Sequence, residues 1–283
     1  MTPNRRGLER WTQIQTSKKK EVDPRNTLNE LTAREWTYFI RSTILTTYPQ
    51  EYGHELRKQH YANKPPSLCK AFIEFFTKTG AQVLDPFMGV GGTLIGASLC
   101  GRQAVGVEIN EKWVNVYFQV CEKYNLPKQH VILGDCAVKL KEFPPEFFDF
   151  VLTDPPYFYI STERTSADKT KLVQEFSAEN KDIGNIRDYE RFLDALEEVF
   201  IEIYRVLRKG RYIAFFMKNR YVKGRFYPIS YDLARRIEKA GFVWRGEHIW
   251  FNKGRRLYPF GYPYQYVVDT VHHNIEVLRK PSQ

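Results

Sequence analysis

Residues 82–93, which read QVLDPFMGVGGT, decide the fold. An apolar run that ends at Asp85 predicts a short strand, and the glycines from Gly89 to Gly92 predict a turn into a helix that begins near Thr93. A strand, a tight turn and a helix in this order are typical of a parallel α/β sheet. The turn lets the backbone approach a ligand, but it lacks the spacing of a dinucleotide-binding loop and the Lys-Ser/Thr ending of a phosphate loop. NAD and ATP are therefore poor candidates for the ligand.

Strand and helix patterns alternate on both sides of this unit, which predicts a doubly wound α/β domain. Further strands are predicted at residues 103–108, 131–133, 150–153, 212–217, 242–251 and 275–278. Helices are predicted to begin after Thr32 and after Pro65-Pro66, and to cover residues 113–124, 188–207 (closed by Lys209-Gly210) and 231–240.

The chain is predicted to be a basic arm, residues 1–25, followed by one domain, residues 26–283, with order starting near Thr32. Residues 158–187 are polar and lack periodicity, and we interpret them as a lid. Residues 252–273 form a basic, aromatic loop between the last two strands. We expect its aromatic side chains to divide between packing and contact with bases, with packing favoured for most of them: Tyr258, Phe260, Tyr262, Tyr264 and Tyr266.

Charge is distributed unevenly along the 283 residues. The net charge is +10, and residues 205–283 alone contain 17 basic and 5 acidic side chains. Such a surface favours a polyanion as partner. The polar, basic first thirty residues do not resemble a secretory signal, so we expect a cytoplasmic protein. Four cysteines without a CxxC pair, and histidines without ligand spacing, predict neither disulfides nor a metal site.

Three predicted strands are followed by carboxylates, at Glu108, Asp135 and Asp154. Ligands of an open parallel sheet bind outside the carboxyl ends of its strands, so these acids mark one edge as a candidate site. Glu108, nineteen residues after Gly89, could accept hydrogen bonds from both hydroxyls of a ribose, and Asp135 could accept one from an adenine amino group. Each acid could instead cap a helix.

The most specific motif is Asp154-Pro155-Pro156-Tyr157, directly after a buried apolar strand. Two prolines fix an extended turn that offers carbonyl groups without competing donors. The Asp154 carboxylate and the Pro155 carbonyl could together accept both hydrogens of a planar exocyclic amine. Tyr157 could then stack on the ring that carries the amine.

These residues resemble those of the amino-methyltransferases of DNA, which transfer a methyl group from S-adenosylmethionine to N6 of adenine or N4 of cytosine. The resemblance covers roughly residues 32–280. Residues 87–91 match the glycine motif, residues 154–157 match the catalytic tetrapeptide, and residues 60–76, which include Asn63-Lys64-Pro65, are similar to the cofactor-side helix motif. It implies a seven-stranded, mostly parallel, Rossmann-like sheet with a reversed last strand.

The resemblance also implies the site residues. Asp154, Pro155, Pro156 and Tyr157 would be catalytic, while S-adenosylmethionine would be bound by Lys64, Pro65, Asp85, Phe87, Gly89, Gly91, Thr93, Glu108 and Asp135. In the basic loop we expect Lys253, Arg255 and Arg256 to contact nucleic acid.

DNA is the substrate that the resemblance implies, with adenine favoured over cytosine because the tetrapeptide begins with Asp. A cognate restriction nuclease and a homodimer remain open, and no separate recognition domain of the usual size follows the tetrapeptide. One alternative is an RNA amino-methyltransferase, although such enzymes commonly carry an extra RNA-binding domain. Another is an inactive nucleic-acid-binding subunit.

Overall fold

An eight-stranded, mostly parallel sheet forms the centre of the protein. The structure, a computed structural model, describes residues 21–60, 63–158, 182–251 and 257–283. The strand order is β1-β9-β10-β6-β5-β2-β3-β4, and β10 is antiparallel to both of its neighbours. The strands are β1 (Thr43–Ile44), β2 (Gln82–Asp85), β3 (Gln103–Glu108), β4 (His130–Leu133), β5 (Phe148–Thr153), β6 (Leu207–Met217), β9 (Val243–Phe251) and β10 (His272–Arg279), with β7 (Arg220–Val222) and β8 (Arg225–Tyr227) in a separate hairpin.

Helices cover both faces of the sheet. They are α1 (Ala33–Phe39), α2 (His54–Arg57), α3 (Pro66–Phe76), α4 (Gly92–Ser98), α5 (Glu111–Lys123), α6 (Cys136–Lys139), α7 (Tyr189–Val206) and α8 (Ile229–Glu238). The prediction of a doubly wound α/β sheet with a reversed last strand is confirmed.

Alternate strand residues divide the core into two clusters. Val151 and Phe215 pack on the side of α7 and α8, whereas Phe150 and Phe216 pack on the side of α3 and α4. All six residues of β5 are buried, because successive side chains point to opposite faces and both faces are covered. This central strand therefore carries the motif that follows it, residues 154–157, into the middle of the sheet edge.

The end of α7 corrects one prediction. Lys209-Gly210 does not close the helix, because Leu207 already has an extended backbone (φ −76°, ψ 135°) and starts β6. Leu207 is buried and pairs with Phe148 of β5. Burial of this leucine in the sheet outweighs the helix-ending signal of the glycine three residues later.

In addition to the seven predicted strands, the sheet contains an eighth, β1, which has only two residues and pairs parallel to β9. Two side chains of β9 fix it, because the His248 ring bonds the Arg41 carbonyl at 2.9 Å and the Trp250 indole donates to the Thr46 carbonyl at 3.2 Å. A two-residue strand has no detectable period, so the sequence could not predict it.

Order begins earlier than predicted. Asn29 is buried, and its side-chain amide donates to the Phe75 carbonyl at the end of α3, at 2.5 Å. Thr32 caps α1 in the predicted capping box with Glu35. Residues 1–20 of the predicted arm and 159–181 of the predicted lid lie outside the described residues. Within the described ranges, no helix is both long and apolar enough to cross a membrane.

Glu276 is fully buried on β10 and lies directly opposite Glu247 of β9. The Trp244 indole donates to Glu276 Oε2 at 3.0 Å, whereas Oε1 has no hydrogen-bond partner. Burial, and next the charge of Glu247, raise the pKa of Glu276 to about 8. The folded protein therefore keeps this carboxyl protonated at a pH where the unfolded chain has released the proton.

We expect Glu276→Gln to stabilise the protein at high pH. The stability of the wild type should fall as the pH rises from about 4.5 to about 8, since the folded state binds the extra proton. Glutamine keeps an acceptor for Trp244 and cannot ionise. The variant should gain on the order of 2 kcal/mol over the wild type at pH 9 and much less at pH 5, measured by urea unfolding. If the variant and the wild type differed equally in free energy of unfolding at both pH values, the raised pKa of Glu276 would be contradicted. Glu122 is exposed, so Glu122→Gln serves as the control.

Candidate active site

A cavity opens at the carboxyl ends of β2, β3, β4 and β5 and encloses about 980 Å³, including space that is open to solvent. Its position follows from the topology. The chain runs from β2 outward to β3 and β4 and then returns to place β5 on the other side of β2, so the connections diverge at this point. Such a switch point leaves a crevice between the strand ends.

Most predicted site residues line this cavity. They are Lys64, Asp85, Phe87, Gly89, Thr93, Glu108, Asp135, Asp154, Pro155, Pro156 and Tyr157. Gly91 and Pro65 are not part of the lining. Gly91 has φ +75°, and a Cβ there would lie 2.3 Å from the Tyr117 ring. The turn therefore requires glycine at this position for its backbone conformation and its packing. Pro65 is the N-cap residue of α3.

The glycine turn is fastened to the end of β3. Gly89 has φ +49°, and its N–H donates to Glu108 Oε2 at 2.9 Å. The Asn110 N–H donates to the other Glu108 oxygen at 2.9 Å. Each oxygen keeps a second lone pair, and burial raises the pKa of Glu108 to about 7. The carboxyl group is thus oriented by the backbone before any ligand binds.

Asp135 and Asp85 also form hydrogen bonds within the protein. Asp135 caps α6 by accepting a hydrogen bond from the Ala137 N–H at 2.9 Å, so it caps a helix and lines the cavity at once. Asp85 is buried, and the Thr153 hydroxyl donates to it at 2.7 Å, which ties the ends of β2 and β5 together. Burial raises the pKa of Asp85 to about 6.

Asp154, Lys64 and Tyr157 form a closed group beside the cavity. Lys64 Nζ donates to Asp154 Oδ2, the Tyr157 hydroxyl donates to Oδ1 at 2.9 Å, and Lys64 Nζ lies 3.1 Å from the Tyr157 oxygen. The side chains of Lys64 and Asp154 are only 7% and 12% exposed. Burial raises the pKa of Asp154, and the charge of Lys64 opposes that shift. Lys64 therefore favours the ionised form of Asp154.

Five carboxyl groups line the cavity, contributed by Asp85, Glu108, Asp135, Asp154 and Asp182. Among the described residues that line the cavity, Lys64 alone is a lysine or an arginine, and its positive charge lies opposite these carboxyl groups. A ligand with positive groups suits this set, because opposite charges attract strongly where water is largely excluded. S-adenosylmethionine has a sulfonium and an ammonium group together with ribose hydroxyls, so the residues present fit it.

Several lining residues were missed from the sequence: His60, Asn63, Trp113, Asp182, Ile183 and Phe216. His60 packs edge-on against Trp113 at 4.9 Å, and a Cβ on Gly89 would lie 3.3 Å from its ring. Burial lowers the pKa of His60 to about 3, so the ring is neutral. Asp182 lies within the predicted lid, residues 158–187, where no periodic pattern marked it. Only the positions of His60 and Asn63 within the motif of residues 60–76 gave a signal.

The basic loop corrects a second prediction. Lys253, Arg255 and Arg256 lie outside the described residues, so their contact with nucleic acid stays a prediction. The expectation that most aromatic side chains of the loop pack is wrong for Tyr262, Tyr264 and Tyr266, which are among the most exposed side chains described.

Comparison with known proteins agrees with this geometry. Residues 6–119 and 148–282 match the profile of the N6/N4 methyltransferases, described as DNA methylase. The chain is 40% identical over 94 residues to a tRNA (guanine(10)-N2)-dimethyltransferase of Pyrococcus abyssi, covering 33% of this chain and 28% of that protein. It is 30% identical over 167 residues to the enzyme of the same name from Methanocaldococcus jannaschii, covering 55% and 47%. The chain thus spans less than half the length of these two relatives.

Among solved structures, TrmN from Thermus thermophilus superposes with a TM-score of 0.52 at 16% identity, over 83% of this chain and 55% of that one. At this identity the likeness concerns the fold alone. The family profile, in contrast, matches most of the sequence, including the glycine turn and the tetrapeptide. The chain therefore belongs to the N6/N4 DNA methylase family, and its cofactor is S-adenosyl-L-methionine.

Proposed function

We propose that this protein methylates the exocyclic amine of a base in RNA, with N2 of a guanine in tRNA as the first candidate. The observation that carries the chemistry is the buried Asp154 carboxylate, held next to Tyr157 at the edge of the cofactor cavity. The choice of RNA is supported by relatives named tRNA (guanine(10)-N2)-dimethyltransferases in several archaea.

An exocyclic amine is a weak nucleophile because its lone pair is delocalised into the ring. S-adenosylmethionine supplies an electrophilic methyl group, so no covalent nucleophile on the protein is needed. Asp154 and the Pro155 carbonyl accept the amine hydrogens and draw the nitrogen toward tetrahedral geometry, which localises the lone pair. Tyr157 stacks on the base and holds it in line, and positioning of this kind lowers the remaining barrier.

Both oxygens of Asp154 already have partners, since Lys64 occupies Oδ2 and Tyr157 occupies Oδ1. An incoming amine therefore shares this carboxylate with a lysine. The charge of Lys64 favours the ionised form of Asp154, and an ionised carboxylate is the stronger acceptor for an amine that gains positive charge during transfer.

DNA is the second candidate. The sequence pattern placed it first, and two findings favour it: the family is described as DNA methylase, and the chain is 34% identical over 71 residues to the type II methyltransferase M.MthZI of Methanothermobacter thermautotrophicus. That match covers 25% of this chain and 20% of that protein. The longer matches to tRNA enzymes favour the RNA alternative over the DNA interpretation.

Transfer of labelled methyl groups to tRNA, ribosomal RNA and duplex DNA, followed by digestion to nucleosides and mass spectrometry, tests the proposal. We expect N2-methylguanosine or N2,N2-dimethylguanosine from tRNA. N6-methyladenine or N4-methylcytosine from DNA, without a methylated RNA nucleoside, would overturn it. Transfer to none of the substrates, with cofactor binding intact, would favour the inactive-subunit alternative.

Cofactor binding and catalysis should separate by mutation. Glu108→Ala removes a preorganised acceptor, and a hydrogen bond to a charged group contributes about 1.5–3 kcal/mol, so cofactor affinity should fall by about 10- to 150-fold. Asp154→Ala should leave cofactor affinity, measured by calorimetry, near that of the wild type while single-turnover methyl transfer falls by orders of magnitude. Near-normal turnover in Asp154→Ala would refute the mechanism.

The pH dependence should report the contact between Lys64 and Asp154. Without the lysine, only the hydrogen bond from Tyr157 still opposes the effect of burial, so Lys64→Met should raise the pKa of Asp154. The acidic limb of single-turnover methyl transfer at saturating cofactor should then move to higher pH. Lys64→Arg keeps the charge and should restore most of the wild-type profile. A Lys64→Met profile that is lower but unshifted would mean that the lysine acts through packing alone.

A further inference from the structure

Three tyrosines of the loop between β9 and β10 project into solvent. Tyr262, Tyr264 and Tyr266 are 80%, 91% and 85% exposed. Burial of aromatic rings of this size is normally favourable in free energy. Three exposed rings within five residues therefore indicate an apolar surface that binds a partner.

The backbone around them is a closed turn. The Tyr262 N–H donates to the Pro259 carbonyl at 3.3 Å, and the N–H groups of Tyr264 and Gln265 both donate to the Gly261 carbonyl, at 2.8 and 2.9 Å. Gly261 has φ +77°, and a Cβ there would lie 2.3 Å from the Gln265 carbonyl oxygen. The turn therefore holds its shape through backbone contacts and leaves the tyrosine rings outside.

The loop rises from the same edge of the sheet as the active site. It leaves β9 after Phe251, which pairs with His272, and Asn274 of β10 pairs with Met217 at the carboxyl end of β6. At its base, His273 stacks on Trp250 with ring centroids 5.1 Å apart and lies 6.3 Å from the Tyr157 ring. The tyrosine turn and the catalytic tetrapeptide thus belong to one edge.

A group of basic residues lies near this edge, on the other side of the tetrapeptide. Residues 218–225, which lead into and form the β7–β8 hairpin, contain four basic residues and no acidic one. Tyr227 at the end of the hairpin packs against Phe158, the residue after the tetrapeptide, with centroids 5.1 Å apart. Exposed aromatic rings together with basic residues are the combination that binds single-stranded nucleic acid, because bases stack on the rings and phosphates contact the cations.

We propose that Tyr262, Tyr264 and Tyr266 form a stacking surface for unpaired nucleotides of the RNA substrate that flank the target base. The inference rests on the proposed function for the choice of RNA. A base that enters the cavity must leave its stack, and neighbouring bases that become unstacked with it gain new partners on these rings.

The test compares two triple variants, Tyr262→Ala/Tyr264→Ala/Tyr266→Ala and the matched set of three phenylalanines. A fluorescent 12-nucleotide RNA of mixed sequence is titrated as a single strand and as a duplex, with anisotropy as readout. The alanine variant should bind the single strand at least about tenfold more weakly, since each base stack contributes about 5- to 150-fold. The phenylalanine variant should bind like the wild type. The salt dependence should be unchanged in both, because no charge is removed.

Wild-type affinity of the alanine variant for the single strand would overturn the proposal, and so would an equal loss on single strand and duplex. Cofactor affinity and the unfolding midpoint check folding, and Tyr264→Ala alone replaces the triple variant if the latter does not fold. Methyl transfer by the wild type to DNA alone would refute the RNA function. A loss of single-strand binding in the alanine variant would in that case still support the stacking surface, so the two failures are distinguishable.

Discussion

The parallel pairing of β2 with β5 is the constraint on which the site depends. These strands are neighbours in the sheet although the Thr153 hydroxyl and the Asp85 carboxylate that join their ends are 68 residues apart in sequence. The two chain segments leave this point in opposite directions, and the resulting gap accommodates the glycine turn on one side and the tetrapeptide on the other. Both parts of the proposed chemistry, a place for the cofactor and a place for the amine, therefore depend on one strand contact.

Around that gap the protein orients carboxyl groups through its own backbone. Glu108 is fixed by two N–H groups, Asp135 by the start of α6, and Asp154 by a lysine and a tyrosine. Removing a carboxyl group from water raises the free energy of its charged form, and neighbouring carboxylates add repulsion. A cationic ligand would offset both effects. In the proposed function, these acids would bind the cofactor and activate the amine a short distance apart.

The sequence predicted features that depend on local patterns. β2 and β3 were predicted to the residue, and the capping box at Thr32 is confirmed, because each depends on neighbours within a few residues. The helix α3 begins at Pro66, so it includes the second of the two prolines after which it was predicted to start. Contacts across long separations could not be predicted in this way. The bond from Lys64 to Asp154 spans 90 residues, and neither position indicates the other. The exposure of Tyr264 was mispredicted because composition does not distinguish a ring that packs from one that a closed turn presents to solvent.

The acidic lining of the cavity also bears on turnover. S-adenosylhomocysteine is a neutral thioether and carries one positive charge fewer than S-adenosylmethionine, which is a sulfonium. Electrostatic interactions in a water-poor site scale with charge, so the carboxyl groups that line the cavity would attract the by-product less strongly than the cofactor. The acidic lining would thus favour exchange of the spent cofactor for a fresh one.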